Sequence, residues 1–124
     1  MSTTQTNIIV KFTIEGFHYW KDAPKEVAFL RDNHRHIFHF RLEKKVNHSD
    51  RDIEIIMFGR LAKAWLQDKY FTNCGSWLEF GPMSCEMIGE ELLKNFDLEL
   101  AEVTEDNENG AIVYRLHETI STLL

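Results

Sequence analysis

The chain has 124 residues, of which 44% are hydrophobic and 27% are charged. These proportions are typical of one folded domain and exclude disordered or low-complexity architectures. The 14 Lys and Arg residues against 20 Asp and Glu residues give a formal net charge of −6, which argues against a broad nucleic-acid-binding surface. The two cysteines, Cys74 and Cys85, are too few for a disulfide framework, so we expect a reducing compartment.

No window of the sequence approaches the roughly 20 apolar residues that span a bilayer. The first twenty residues also lack the basic and apolar regions of a secretory signal. We therefore expect a cytoplasmic protein that has no membrane partner.

Two long segments, residues 7–19 and 33–46, alternate between apolar and polar side chains with the period of a β-strand. Residues 21–32 interrupt this alternation and predict the connection between the two strands. The polar residues 47–52 predict a turn, and residues 53–58 predict a third strand.

After Gly59 the apolar period changes to that of a helix, which predicts a first helix up to about Tyr70. Residues 71–82 contain two glycines and predict a loop. Ser84 then predicts the N-cap of a second helix, with Glu86 in its first turn against the helix dipole.

Residues 98–104 and 111–116 predict a closing antiparallel hairpin that turns at Asn109-Gly110. Residues 117–124 fit a short helix, a strand or a tail, and the sequence does not choose among them. This order of elements predicts an α+β fold, in which two helices pack on one face of an antiparallel sheet.

The sharpest local feature is a His-x-His pair, His34 and His36, in the second strand. Both imidazoles lie on one face, about 6 to 7 Å apart at Cα. His18 ends the apolar face of the first strand, so antiparallel pairing can bring it beside the other two, whereas His39 faces the opposite way. Three protein ligands and an open position are typical of catalytic zinc. The same spacing also fits three histidines of a half-buried sheet face that binds no metal.

Several short motifs follow one another in the order of a known family and cover most of the chain. They are residues 11–18, which end in His18; residues 33–36 with the alternating run to Glu43; residues 55–61; residues 83–86, Met-Ser-Cys-Glu; and residues 103–105 with 110–114. In this order and spacing they resemble the family of 6-pyruvoyl-tetrahydropterin synthase and 6-carboxy-tetrahydropterin synthase, the tunnelling-fold pterin enzymes.

This resemblance implies a zinc ion held by His18, His34 and His36. It also implies that Glu105 anchors the pterin ring, because an ionised carboxylate offers two acceptors to the 2-amino group and the adjacent ring N–H. Glu105 is alternatively a solvated residue of the acidic loop 105–108. The start of the second helix adds further candidates for substrate binding, Ser84 and Glu86, although Glu86 can equally serve only the helix N-terminus.

The resemblance further implies a tunnelling fold, in which the sheets of several subunits join into a barrel. The pterin pocket then lies between neighbouring subunits. We therefore expect a homo-oligomer, a hexamer or a tetramer, that binds a pterin or a related heterocycle.

The chain departs from the family at residues that transfer protons. Leu30 stands where the family has its catalytic cysteine, and Gln67 and Asp68 stand where it has an Asp-His pair. Arg35 replaces the glycine between two zinc histidines, and Met57 replaces an aspartate. These losses affect acid-base chemistry rather than metal binding.

A substitute base has to come from another residue, and the candidates are Asp68, Asp32, Cys85 and Glu105. The sequence therefore predicts a zinc-dependent, pterin synthase-like lyase that acts on a dihydroneopterin-triphosphate-type substrate. The alternative is a catalytically impaired module that binds a pterin or purine for sensing, sequestering or regulation. A third hypothesis is a structural or interaction protein whose histidines hold no metal.

Overall fold

The computed structural model describes residues 3–72 and 76–117. Within them the fold is α+β, with one five-stranded sheet and two α-helices. The elements in chain order are β1 (Thr6–His18), a 3₁₀ segment (Lys25–Arg31), β2 (His34–Val46), α1 (Ile55–Lys69), β3 (Leu78–Gly81), α2 (Cys85–Phe96), β4 (Leu100–Glu105) and β5 (Asn109–Tyr114).

The strands follow the order β3-β1-β2-β4-β5 across the sheet. β1 and β2 pair antiparallel along their whole length, from Thr6 opposite Val46 to His18 opposite His34. The predicted alternation is confirmed for both strands. The 3₁₀ segment forms part of the predicted connection between them.

One face of the sheet forms the hydrophobic core, and both α-helices cover this face. From the sheet, Val10, Ile14, Phe38, Leu42 and Val103 are buried there. The helices add further residues to the same cluster, which include Phe58, Ala62 and Leu66 of α1 and Ile88 and Leu92 of α2. The prediction of two helices on one face is therefore confirmed.

The predicted third strand at residues 53–58 is wrong, because the chain is already helical at Ile55. The Glu54 carboxylate caps this helix and accepts hydrogen bonds from the amides of Ile56 and Met57. These bonds satisfy donors that the first turn of a helix leaves free. The run of β-branched residues favoured a strand, but the side-chain cap favours the helix.

The predicted loop at residues 71–82 is wrong at its end, where Leu78–Gly81 forms β3. This strand pairs parallel with the end of β1, so the sheet is mixed rather than antiparallel as predicted. Leu78 and Phe80 are buried, and burial against the core stabilises this short strand. Cys74 lies outside the described residues.

The predicted turn at Asn109-Gly110 is wrong, because both residues belong to β5. The chain turns at Asp106 and Asn107, whose φ angles of 55° and 57° are left-handed. Asp and Asn tolerate this conformation better than other non-glycine residues. A Cβ at Gly110 would lie 2.0 Å from the Val103 carbonyl oxygen, so the glycine permits close strand approach.

His117 is exposed, and its Nε2 lies 2.8 Å from a Glu99 carboxylate oxygen. The alternatives for the rest of the 117–124 segment lie outside the described residues. None of the helices in the described part of the chain has the length and hydropathy to cross a membrane.

Candidate metal centre

The sheet brings three histidines together on its core-side face. His18 ends β1 directly opposite His34, and Gly16 is opposite His36. The imidazole centroids lie 4.5 Å apart for His18 and His34, 5.0 Å for His34 and His36, and 5.4 Å for His18 and His36. One possible ligand atom of each residue lies within 4.8 Å of the other two. The three histidines are therefore close enough to hold one metal ion, as predicted.

Main-chain carbonyl groups orient two of the three rings. His18 Nδ1 lies 2.9 Å from the Met83 oxygen, and His34 Nδ1 lies 2.8 Å from the Asp32 oxygen. A carbonyl oxygen only accepts hydrogen bonds, so each Nδ1 carries the proton. In the neutral rings the lone pair is then on Nε2, the atom that is available to a metal.

The third ring is oriented by a carboxylate. His36 Nδ1 lies 2.7 Å from Asp106 Oδ2, so this ring has the same tautomer as the other two. The Nε2 atoms of His18 and His36 are buried and form no hydrogen bond with any described residue. Buried polar atoms without a partner are uncommon in folded proteins. A metal ion would satisfy both of these nitrogens.

Glu105 lies against the same nitrogen atoms. Its Oε2 is 2.9 Å from His18 Nε2 and its Oε1 is 3.5 Å from His36 Nε2, as ion-pair contacts rather than aligned hydrogen bonds. Burial lowers the pKa of His18, but Glu105 and the Met83 carbonyl outweigh burial and raise it above 6.5. Contact with His18 in turn lowers the pKa of Glu105. This ionised carboxylate can occupy a fourth coordination position of a metal ion, or it can accept hydrogen bonds from a bound molecule.

A cavity of about 480 Å³ adjoins the cluster. This volume suits a small heterocyclic ligand. The side chains that bear on its chemistry include His18, His34, Glu105, Cys85 and Leu30. The cavity therefore places the Glu105 carboxylate and two of the three candidate metal ligands, His18 and His34, beside one space.

Cys85 is the cysteine that lines this cavity, and its Sγ lies 3.7 Å from Glu105 Oε2. Burial, together with the nearby Glu105 and Glu86 carboxylates, raises the pKa of the thiol to about 12. The thiol is therefore protonated at neutral pH and donates to Glu105. It does not provide the thiolate that a nucleophile or base requires.

The other predicted site residues fall into two groups. Ser84 and Glu86 line the cavity, and Ser84 also caps α2 by accepting a hydrogen bond from the Met87 amide at 3.1 Å. Asp32 and Asp68 are exposed and do not line this cavity. Asp32 contributes its main-chain oxygen to His34 rather than a carboxylate to the cavity.

Sequence reasoning did not single out Asp106. Residues 105–108 read only as an acidic loop, and nothing in their spacing separates a carboxylate that faces the sheet from one that faces solvent. The left-handed turn decides this, because it places Asp106 beside Ile37 and His36.

Comparison of the sequence with known protein families and with curated proteins finds no match.

Proposed function

We propose that the protein is a zinc-dependent, pterin synthase-like enzyme with carbon–oxygen lyase chemistry on a dihydroneopterin-triphosphate-type substrate. The observation that carries the metal part is that Nδ1 of His18, His34 and His36 each lies against an oxygen acceptor, which leaves the three Nε2 atoms for a metal. Three imidazole Nε2 atoms with a further open position suit catalytic zinc. Bound zinc would supply a Lewis acid that polarises a substrate oxygen.

The substrate class is supported by Glu105, which both contacts the histidines and lines the cavity. Its lowered pKa keeps the carboxylate ionised at neutral pH. The two oxygens can then accept the parallel N–H groups of a pterin ring. Ser84 and Glu86 line the same cavity and can contact the rest of the molecule.

Proton transfer in this proposal depends on carboxylates rather than on a thiol. Leu30 lines the cavity and has no titratable group, while Cys85 keeps its proton at neutral pH. Asp68 is exposed on α1, away from the cavity lining. Glu105 is ionised and adjoins the metal ligands, so it can act as the substitute base where one of its oxygens is not bound to a ring N–H group.

The test uses protein purified without a histidine tag and loaded with zinc. We expect near-stoichiometric zinc by elemental analysis and conversion of dihydroneopterin triphosphate by chromatography. Glu105→Gln should abolish conversion, whereas Glu102→Gln, a matched change of an intermediate-exposure carboxylate in β4, should retain it. Failure of the loaded wild-type protein to consume this substrate would contradict the proposed reaction.

A second function is favoured by the same lack of a thiolate at the cavity. With Leu30 and a protonated Cys85 there, the protein can bind a pterin or purine without converting it, as a sensing, sequestering or regulatory module. Calorimetric titration would then show heterocycle binding, and chromatography would show no product. Recovery of activity in Leu30→Cys combined with Asp68→His would instead favour the enzyme.

We also propose that the protein forms a homo-oligomer, a hexamer or a tetramer, whose sheets join into a barrel. β5 lies at the edge of the sheet, and its Ile112 and Tyr114 are 52% and 61% exposed. Unpaired strand edges are ready to pair with another strand. Sedimentation analysis should show the oligomer, and a stable monomer at micromolar concentration would contradict it.

A further inference from the structure

We infer that Asp106 is a positioning residue, which sets the tautomer and orientation of His36 so that its Nε2 can bind the metal. This inference rests on the proposed metal centre. It concerns a residue that neither lines the cavity nor belongs to the candidate ligand group.

The Asp106 carboxylate makes two contacts with consecutive residues of β2. Oδ2 lies 2.7 Å from His36 Nδ1, and Oδ1 accepts a hydrogen bond of 2.9 Å from the Ile37 amide. The main chain adds a third contact, because the Asp106 amide donates to the Ile37 oxygen at 2.8 Å. The two contacts with Ile37 therefore fix the position of the carboxylate that accepts from His36.

His36 differs from the other two histidines in what accepts its Nδ1 proton. His18 and His34 donate to main-chain carbonyls, which no substitution removes. His36 donates to a side chain, so its tautomer depends on the identity of residue 106. Carboxylates that accept from a ligand histidine are a recurrent feature of metal sites, and their loss weakens metal affinity about 10- to 100-fold.

The substitution Asp106→Asn tests this directly. Asn adopts the left-handed φ of 55° readily, and its single oxygen can keep the hydrogen bond from the Ile37 amide. Its amino group then faces His36 Nδ1 and requires this atom to accept. The proton of His36 moves to Nε2, next to the Glu105 carboxylate, where it blocks metal binding.

The first measurement is the tautomer of His36 in the metal-free protein, from its imidazole ¹⁵N chemical shifts where the ring is neutral. The second is Zn²⁺ affinity by competition with a chelating dye. We expect the Asn variant to show the reversed tautomer, and its Zn²⁺ affinity to fall by about 10- to 100-fold with the unfolding midpoint little changed.

A matched control is Asp52→Asn, in the turn before α1. Asp52 also accepts a hydrogen bond from a main-chain amide, that of Asn47 at 2.8 Å, and lies 3.5 Å from His48 Nε2. This aspartate lies outside the candidate ligand group. Its substitution should leave both the His36 tautomer and the Zn²⁺ affinity unchanged.

Asp106→Gly separates a tautomer effect from a merely structural one. Gly accommodates the positive φ and removes both carboxylate hydrogen bonds, but it leaves the His36 ring free to keep its proton on Nδ1. We therefore expect Asp106→Gly to lose less Zn²⁺ affinity than Asp106→Asn. A structural role predicts the opposite order, since Asn retains one hydrogen bond.

An unchanged His36 tautomer in the Asn variant, or equal Zn²⁺ affinity in the Asn variant and the wild type, would overturn the inference while leaving the proposed metal centre standing. Zinc-free wild-type protein that binds no added Zn²⁺ would instead overturn the metal centre, and this inference with it.

Discussion

One face of β1 and β2 is divided into two regions with opposite properties. Towards one end, Phe38, Phe40 and Leu42 are at most 2% exposed beneath the helices. Towards the other end, the same face of the same strand carries His36 and His34, and His34 lines a cavity. Both regions belong to the same antiparallel pair of strands. The difference is in what covers the face, because the helices pack over one half and leave the other half beside open space.

The two regions meet at Phe38. Its ring centroid lies 4.9 Å from that of Phe80 on the core side, and 5.2 Å and 5.7 Å from those of His18 and His36 on the other side. The core therefore packs directly behind the imidazoles. We expect substitutions in the apolar half to change stability, substitutions in the histidine half to change metal affinity, and substitutions at the boundary to change both.

The largest effect on zinc binding is expected from His34→Ala. Zinc at about 100 times its dissociation constant should stabilise the wild-type protein by about 2.7 kcal/mol, and this gain should disappear in the variant. The metal-free variant should unfold within about 1 kcal/mol of the wild type, because His34 is partly exposed. Denaturant titrations with and without zinc measure both quantities.

His39→Ala is the matched control, since His39 lies on β2 but on the opposite face from His36 and Phe38. The His39→Ala variant should be stabilised by zinc as much as the wild type. Zinc stabilisation that survives in His34→Ala would show that the cluster does not bind the ion.

Leu42→Ala tests the apolar half. The side chain is fully buried, so its truncation should lower the free energy of unfolding by about 2 to 5 kcal/mol. Zinc affinity of the folded variant, measured at low temperature, should match the wild type. Leu61→Ala, which truncates a leucine that is 58% exposed on α1, should cost less than about 0.5 kcal/mol. A large loss of zinc affinity in Leu42→Ala would contradict the division into two regions.

Gly16→Ala tests the boundary. A Cβ at this position would lie 2.6 Å from Phe80 Cε2 and 3.2 Å from Phe38 Cδ2, and Gly16 pairs with His36. We expect a loss of about 1 to 3 kcal/mol in stability from overpacking, together with weaker zinc binding.

The matched control for this boundary is Gly59→Ala in α1. Its new Cβ would meet Val10 at 3.7 Å, an ordinary contact. Alanine is the better helix former by about 0.5 to 1 kcal/mol, so this variant should be as stable as the wild type or more stable. Equal behaviour of the two alanine variants would exclude steric coupling at Gly16.

The smallest effect is a pH dependence of the free energy of unfolding, which comes from Tyr70 at the edge of the hydrophobic core. Burial, followed by the nearby Glu91 carboxylate, raises the pKa of Tyr70 to about 12. In the unfolded chain tyrosine ionises near its ordinary pKa of about 10, so stability is complete below that pH and falls as pH rises towards 12. Tyr70→Phe should therefore lose less stability than the wild type as the pH rises from about 10 to about 12 in urea titrations. If the free energy of unfolding depended on pH in the same way in both proteins, the raised pKa of Tyr70 would be contradicted.

Features that depend on local period and local chemistry could be predicted from the sequence. Strict alternation predicted β1 and β2 and placed His34 and His36 on one face, because successive strand side chains point to opposite sides. Ser84 predicted the start of α2, because a hydroxyl can accept from the free amides of the first turn.

Features that depend on distant partners could not be predicted from the sequence and became visible in the fold. β3 is a strand because Leu78 and Phe80 are buried against the core beside β1, and its four residues carry too little pattern to show this. The role of Asp106 likewise depends on a left-handed turn that brings it to His36, 70 residues earlier in the chain. Side-chain periodicity reports which face a residue occupies, whereas what covers that face is set by contacts between residues far apart in sequence.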